Sequence, residues 1–217
     1  MSRLPVSSEL NKIAKAITRS EGRGILVGGA VRDHFMDRRI SKDLDVEVFG
    51  LSMEKLESVL KQFGNLHAVG KSFGVLKLKT TIAEYDFSLP RREKKTGKGH
   101  RGFNITTDPL MSFKEAASRR DFTVNSMGYD LIENTLLDPF EGIKDIEHKK
   151  LRHVGPAFAE DPLRVFRAIQ FSARLEFKIS AQTAKFCRKL ELSELPRERI
   201  FEEFRKLLLK AKRPSIG

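Results

Sequence analysis

Apolar and polar positions follow two different periods along about the first 140 residues, which predicts a mixed α/β region. Apolar residues recur at helical spacing within residues 7–19, 30–36, 52–63 and 112–120. Apolar and polar residues alternate, or short apolar runs end at turns, within residues 24–27, 43–49, 73–80, 82–89 and 128–138. Residues 73–80 and 82–89 are predicted to pair as a hairpin that turns near Thr80. Ser7 or Ser8 is a suitable cap for the first helix.

The pattern changes from about residue 157, where helical periodicity replaces the alternation. Helices are predicted at about residues 158–175, 181–192 and 197–211. The predicted fold class is therefore an α/β domain followed by an all-α domain. We place the division between residues 147 and 148, so that the two domains comprise residues 1–147 and 148–217.

A basic segment interrupts the α/β pattern at residues 91–103, with the sequence RREKKTGKGHRGF. It holds six lysines and arginines and three glycines, and its apolar residues show no period. Such a composition predicts a mobile basic loop, although an ordinary solvated linker has the same composition.

The charge balance points to a polyanionic partner. The chain carries 41 lysines and arginines against 29 acidic residues, a net charge of +12 that favours nucleic acid. A membrane partner is not expected, because tryptophan is absent and no apolar run reaches the length of a membrane span. The single cysteine, Cys187, excludes an internal disulfide and a cysteine-based zinc site. With no apolar signal core at the start of the chain, we expect a cytoplasmic protein.

Two carboxylates one residue apart, Asp43 and Asp45, are the leading candidates for a metal site. In a strand, side chains at positions i and i+2 project from the same face, so both could bind divalent cations. Mg²⁺ held by carboxylates beside substrate phosphates fits this pattern, whereas a calcium loop does not, because its glycine and terminal glutamate are missing. Asp86 could join from a neighbouring strand. The alternative is a set of ordinary surface carboxylates on solvated strands.

A double glycine, Gly28-Gly29, precedes the predicted helix at residues 30–36. Glycine lets the backbone approach an anion closely, and the N–H groups that open the following helix face a phosphate. Arg32 lies one turn inside the helix and could add a charge-assisted hydrogen bond. The alternative is an ordinary tight turn between a strand and a helix.

Two later segments carry candidate nucleotide ligands. In RRDFTVN, Arg120, Asp121 and Asn125 could bind a phosphate and a ribose, or the segment could hold a structural Arg–Asp pair. In EDPLRVFR, Asp161, Arg164 and Arg167 fall on one helical face, where Asp161 and Arg164 could also form a simple intrahelical pair.

Taken in order, LVGGAVRD, KDLD, RRDFTVNSM, EDPLRVFRA and LPRERIFEEFRKLL resemble the motif series of class II tRNA nucleotidyltransferases. These are the bacterial-type CCA-adding enzymes, relatives of bacterial poly(A) polymerase and members of the DNA polymerase β-like superfamily. The resemblance extends from about residue 23 to 210. It implies a polymerase β-like catalytic head domain followed by a helical neck domain.

The resemblance also implies roles for individual residues. Asp43 and Asp45 match the family's metal carboxylates, and Asp86 stands where a third carboxylate is usual. Matches to residues that contact the nucleotide are Gly29, Arg32, Arg120, Asp161, Arg164 and Arg167. The chain has Gln170 where many relatives have a further arginine. Residues 91–102 resemble the flexible loop that is associated with switching from C to A addition.

The function implied is addition of C and A residues to the 3′ end of tRNA from CTP and ATP, with Mg²⁺ as cofactor and pyrophosphate as product. Cytosine and adenine each carry an exocyclic amine beside a ring-nitrogen acceptor, which Asp161 and Arg164 could recognise. An A-adding enzyme or poly(A) polymerase fits the same motifs. A non-catalytic RNA-binding module on the same scaffold is a further alternative. The sequence leaves the oligomeric state open.

Overall fold

The computed structural model describes residues 4–38, 43–68, 74–95, 103–211 and 213–216. The chain forms two compact units. The first comprises Met1–Lys94, Asn104–Ala117 and Met127–Pro139, and the second comprises Lys95–Phe103, Ser118–Ser126 and Phe140–Gly217. The functional domain division at residues 147 and 148 remains a prediction.

Up to residue 139, helices and strands alternate along the chain, as the two periods predict. The elements in chain order are α1 (Ser8–Arg19), β1 (Arg23–Val27), α2 (Gly29–Phe35), β2 (Asp43–Phe49), α3 (Met53–Leu60), β3 (Asn65–Ala68), β4 (Val75–Lys79), β5 (Glu84–Ser88), β6 (Arg91–Lys95), β7 (Phe103–Thr107), α4 (Phe113–Ser118), β8 (Gly128–Asp130) and β9 (Leu136–Leu137). The predicted strands at residues 24–27 and 43–49 are confirmed. Strand β3 was not predicted.

Within the described residues, one sheet has seven strands in the order β3-β4-β5-β2-β1-β8-β9. Strand β2 lies near its centre, antiparallel to β1 and parallel to β5. Strands β4 and β5 form the predicted antiparallel hairpin, which turns at Thr80, where the Thr80 N–H donates to the Ala83 carbonyl at 3.0 Å. The sheet therefore combines local hairpins with one long-range parallel pairing.

Helix α1 buries the apolar face that its spacing predicts. Leu10, Ile13, Ala14 and Ile17 are all buried, and α1 contacts β1 and α3. The Ser7 side chain caps the helix, because its hydroxyl accepts a hydrogen bond from the Leu10 N–H at 3.1 Å.

A second hydrophobic cluster packs around α4. Its members are Ile25, Val27, Phe49, Met111 and Ala116, with Phe113 and Leu137 packed against them. Gly128 on β8 belongs to this contact, because a Cβ atom there would lie 2.5 Å from the Phe113 ring. Only glycine lets the sheet and this ring approach so closely.

The predicted basic loop begins later than the sequence indicated. Residues 91–95 are strand β6, which pairs with β7 in a two-stranded sheet. Arg92 Nε also donates to Asp108 Oδ2 at 2.9 Å. The prediction of a loop from residue 91 was wrong, since the backbone of this segment is hydrogen-bonded to a second strand. Residues 96–102 of the predicted loop lie outside the described residues.

The chain after residue 139 is mainly helical, with short strands. Its elements are α5 (Gly142–Glu147), β10 (Lys150–Leu151), α6 (Arg164–Leu175), β11 (Lys178–Ile179), α7 (Ala181–Cys187) and α8 (Arg197–Lys210), together with 3₁₀ turns at Pro156–Glu160 and Pro214–Ile216. Strands β10 and β11 pair in parallel. Helix α5 and both strands were not predicted.

The first long helix of this region starts at Arg164 and not at residue 158. Asp161 is extended, with φ −125° and ψ 100°. It precedes Pro162, and a proline disfavours the helical conformation in the residue before it. The proline therefore separates the 3₁₀ turn Pro156–Glu160 from α6 and leaves Asp161 outside the helix.

Candidate functional site

The register of β2 brings two of the three candidate metal carboxylates together. Asp45 on β2 lies directly opposite Asp86 on the parallel strand β5, and the backbone of Asp43 lies opposite Glu84. Asp45 is exposed, whereas the next residue, Val46, is fully buried. The predicted alternation holds at Asp45 and Val46, but Glu47 and Phe49 are also buried, so the second half of the strand is buried on both faces. Asp86 does approach from a neighbouring strand.

Asp86 has a partner that sequence reasoning missed. Lys77 lies opposite it on β4, and Lys77 Nζ is 3.0 Å from Asp86 Oδ2. The predicted hairpin came within one residue of this pairing, because its bounds centre on residue 81 and place position 77 across from position 85, next to the observed Asp86.

Carboxylate oxygens at the head of β2 are the ligands that Mg²⁺ prefers, so an exposed Asp45 beside Asp86 fits a hard cation. Among the side chains that the structure describes, however, no three carboxylate, histidine or cysteine groups converge on one point where a metal could bind.

The double glycine forms the predicted turn between a strand and a helix. Gly28 lies between β1 and α2 with φ +74° and ψ −135°, a conformation that L-amino acids with a side chain rarely adopt. Gly29 is the first residue of α2. A Cβ atom on Gly29 would lie 3.5 Å from Arg32 Nη2, so the glycine backbone runs directly beside this guanidinium.

Arg32 is oriented by its neighbour. Its side chain is only 3% exposed, and Nε and Nη2 donate to Asp33 Oδ1 at 2.9 and 2.6 Å. The arginine predicted to bind a triphosphate is therefore held in one orientation, with Gly29 beside it.

Asp121 is the centre of a buried polar network in the second unit. Arg167 Nε and Nη2 donate to Asp121 Oδ2 at 2.8 and 2.6 Å, and Asn125 Nδ2 donates to Oδ1 at 3.0 Å. The Phe122 N–H also donates to Oδ1, at 2.7 Å. Burial alone would raise the pKa of Asp121, but the Arg167 charge and these hydrogen bonds outweigh it and hold the pKa below its ordinary value.

This network shows how three predicted nucleotide ligands are placed. Asp121 binds both Asn125 and Arg167, so its arginine partner comes from α6 and not from RRDFTVN, the segment for which the sequence left a structural Arg–Asp pair open. The Asp121–Arg167 pair joins residues 46 positions apart, so it connects the segment before the 3₁₀ turn Thr123–Asn125 to helix α6. Arg120 Nη1 donates to the Asn125 carbonyl at 3.3 Å, and Arg120 is half-buried.

The side chains of Asp161 and Arg164 are each oriented by other groups and do not pair with each other, although the Arg164 N–H donates to the Asp161 carbonyl at 3.0 Å. Arg164 Nη1 donates to the Ala157 carbonyl at 2.7 Å, and Nη2 donates to the Arg119 carbonyl at 2.6 Å. Burial lowers the pKa of Arg164, although nearby carboxylates oppose this effect. The alternative of an intrahelical pair was wrong, because Asp161 precedes the helix.

Asp161 is held instead by Arg199, which sequence reasoning did not identify. Arg199 Nη2 donates to Asp161 Oδ2 at 2.9 Å, and the Leu163 N–H donates to Oδ1 at 3.1 Å. Arg199 lies in the first turn of α8, where a cation opposes the helix dipole. The sequence signal for this contact was a basic residue in the first turn of a predicted helix, a position that disfavours positive charge.

Gln170 occupies a buried position one turn after Arg167 on α6. It is 2% exposed, and within the described part of the chain its amide nitrogen has no hydrogen-bond partner. An uncharged amide therefore stands where many members of the resembled family carry arginine.

A family model described as the poly A polymerase head domain matches residues 25–152. The Multifunctional CCA protein of Stenotrophomonas maltophilia is 43% identical over 197 residues, which covers 88% of this chain and 46% of that protein. The chain thus spans about half the length of the curated relatives it matches.

Solved structures resemble the chain over most of its length. A tRNA nucleotidyltransferase complexed with a primer tRNA and an incoming ATP analog has a TM-score of 0.75 at 31% identity, over 90% of this chain and 56% of that one. The Bacillus stearothermophilus CCA-adding enzyme in complex with CTP has a TM-score of 0.78 at 28% identity, over 92% and 48%. The predicted polymerase β-like α/β head domain is confirmed, and the neck domain remains a prediction.

Every helix in the described ranges is too short or too polar to cross a lipid bilayer.

The pair between the buried Asp121 carboxylate and Arg167 should contribute strongly to the stability of the second unit. We expect Arg167→Met to lower the free energy of unfolding by about 3–5 kcal/mol, because it leaves a buried carboxylate without its cation. Arg199→Met is the matched control: both arginine side chains are 32% exposed, but Asp161 is 32% exposed and Asp121 only 8%, so this variant should cost at most about 1 kcal/mol. Urea unfolding at neutral pH measures both values. Equal costs for the two variants would contradict the assignment.

Proposed function

The chain belongs to the poly A polymerase head domain family, and we propose that it adds C and A residues to the 3′ end of tRNA from CTP and ATP, without a nucleic-acid template. The main support for this proposal comes from strand β2. This strand presents Asp45 at an exposed position beside Asp86, two residues after Asp43. The names of the matched relatives and of the CTP-bound and tRNA-bound neighbours agree with this activity. A tRNA substrate implies a cytoplasmic location.

The family implies dependence on a divalent metal, and we propose Mg²⁺ held by Asp43 and Asp45. Bound there, the metal would lower the pKa of an RNA 3′-hydroxyl and stabilise the leaving pyrophosphate. Gly28 and Gly29 would let the triphosphate approach the start of α2. Arg32 would supply a guanidinium that Asp33 already orients.

Base selection would lie with Asp161 and Arg164. Arg199 and the Leu163 N–H fix the Asp161 carboxylate, and each of its oxygens keeps a lone pair that can accept from an exocyclic amine. Two backbone carbonyls fix Arg164, which keeps further N–H groups for a ring nitrogen. Uracil and guanine would turn a carbonyl toward the carboxylate, and the hydrogen-bonding groups left without a partner in the complex would penalise them.

The remaining predicted contacts are supported less directly. Arg120 is half-buried and could reach a nucleotide, whereas Asp121, Asn125 and Arg167 would act by holding the segment in place. The excess of 12 positive charges favours the tRNA backbone as partner.

A second candidate is addition of A alone, because the matching family model is described as a poly A polymerase head domain. The two activities share the metal carboxylates and differ in whether CTP is accepted.

Labelled CTP and ATP, offered separately with Mg²⁺ to tRNAs lacking the last three, two or one nucleotides, distinguish these activities. We expect CTP to be incorporated into the first two substrates and ATP into the third. Asp45→Asn should reduce incorporation by at least about 100-fold, because it removes a metal carboxylate. The exposed Glu54→Gln on α3 is the control and should act as wild type. Incorporation of ATP alone would favour the A-adding activity, and none at all would overturn both.

Asp161 and Arg164 should decide which nucleotide is added. We expect the double variant D161A/R164A to reduce the ratio of kcat/KM for CTP over UTP by at least about 10-fold while some transfer remains. Asp161→Asn alone should act in the same direction, because its amide can donate to a carbonyl. Single-nucleotide incorporation with all four triphosphates gives the ratios, and thermal unfolding checks the fold. Unchanged discrimination against UTP and GTP would show that these residues do not select the base.

A further inference from the structure

Two rows of charged side chains cross the sheet beside the β2 aspartates. In the first row, Lys77 on β4 pairs with Asp86 on β5, and Asp86 lies opposite Asp45 on β2. The order across the strands is therefore a cation, a carboxylate and a second carboxylate.

The same order recurs one row away. Lys79 Nζ is 3.0 Å from Glu84 Oε1, and Glu84 lies opposite the backbone of Asp43. Lysines on β4 thus neutralise the acidic residues of β5 in both rows, which makes the Lys77–Asp86 contact part of a repeated pattern.

Lys77 and a metal ion would compete for the same carboxylate. Lys77 Nζ lies 3.0 Å from Asp86 Oδ2, and the Asp86 side chain is 36% exposed, so the ammonium binds one of the two carboxylate oxygens. Adjacent strands are about 4.8 Å apart, which brings Asp86 within reach of a cation bound at Asp45. The ammonium both occupies Asp86 and repels a second cation from it.

We propose that Lys77 is a positioning residue that keeps Asp86 out of the metal's coordination shell, so that Asp43 and Asp45 alone supply its carboxylate ligands. Asp86 then lies one strand away from Asp45 and contributes negative charge near the metal, but it forms no bond to the metal. The inference rests on the metal site of the proposed function and adds a role for Asp86 beside it.

Titration of the full chain with Mn²⁺, followed by the electron paramagnetic resonance signal of the free ion, tests this without measuring activity. Asp45→Asn should weaken Mn²⁺ binding at least about 10-fold, and Asp86→Asn by no more than about 3-fold. Lys77→Met should tighten binding about 5-fold or more, because Asp86 becomes free to bind the metal. In the double variant K77M/D86N this gain should disappear, and Lys77→Arg should keep the wild-type affinity.

Lys55→Met is the matched control for the loss of one positive charge. The Lys55 side chain is 50% exposed, as is that of Lys77, and it also pairs with a carboxylate, Glu21 at 3.4 Å. Glu21 lies just before Arg23, the first residue of β1, whereas Asp45 lies opposite Val27, the last residue of that strand. The Lys55–Glu21 pair is therefore at the other end of β1 from the carboxylate row. Lys55→Met should change the affinity less than 2-fold.

The possible failures are distinguishable. If Asp86→Asn weakens binding as much as Asp45→Asn, or if Lys77→Met does not tighten it, this inference alone is overturned. If Asp45→Asn binds Mn²⁺ as the wild type does, the metal site of the proposed function is overturned together with it.

Discussion

The pairing of β2 with two neighbours in opposite senses is the constraint on which the first unit depends. Antiparallel pairing with β1 and parallel pairing with β5 fix which face of β2 is buried. Val46 and Val48 enter the core, and Asp45 is exposed beside Asp86. A slip of one residue would exchange the two faces, so that Val46 and Val48 would move to the face that now carries Asp45. The strand pairing that sets the register of β2 therefore also places Asp45 beside Asp86.

Local patterns were sufficient to predict the elements that depend on neighbouring residues. Alternation predicted β2 and the β4–β5 hairpin, and the serine before the first apolar stripe predicted the cap of α1. Even the wrong start of the helix at residue 158 had a local signal, since the proline at position 162 disfavours helix at Asp161.

Contacts between distant residues could not be predicted in this way. The parallel pairing of Asp45 with Asp86 joins segments about 40 positions apart, and alternation says which face a residue takes but not which strand lies beside it. The Asp121–Arg167 and Asp161–Arg199 pairs are similarly distant along the chain. For this reason the sequence could not show that Asp121 and Arg167, both predicted to contact the nucleotide, also bind each other.

In the second unit, internal partners fix the groups that would read a base. Arg199 holds Asp161, and backbone carbonyls hold Arg164, so neither side chain has to be ordered when a nucleotide binds. Such preorganisation suits selection without a template, because the protein must itself present the complementary edge. The buried Asp121–Arg167 pair supports this by connecting the preceding segment to α6.

We propose that the aspartates of β2 hold the catalytic metal. Anomalous diffraction from crystals grown with Mn²⁺ and a non-hydrolysable CTP analogue would locate the ion. We expect an anomalous peak bound by the carboxylates of Asp43 and Asp45, with Lys77 still paired to Asp86. A peak remote from β2, or one bound by Asp86 with Lys77 displaced, would contradict it.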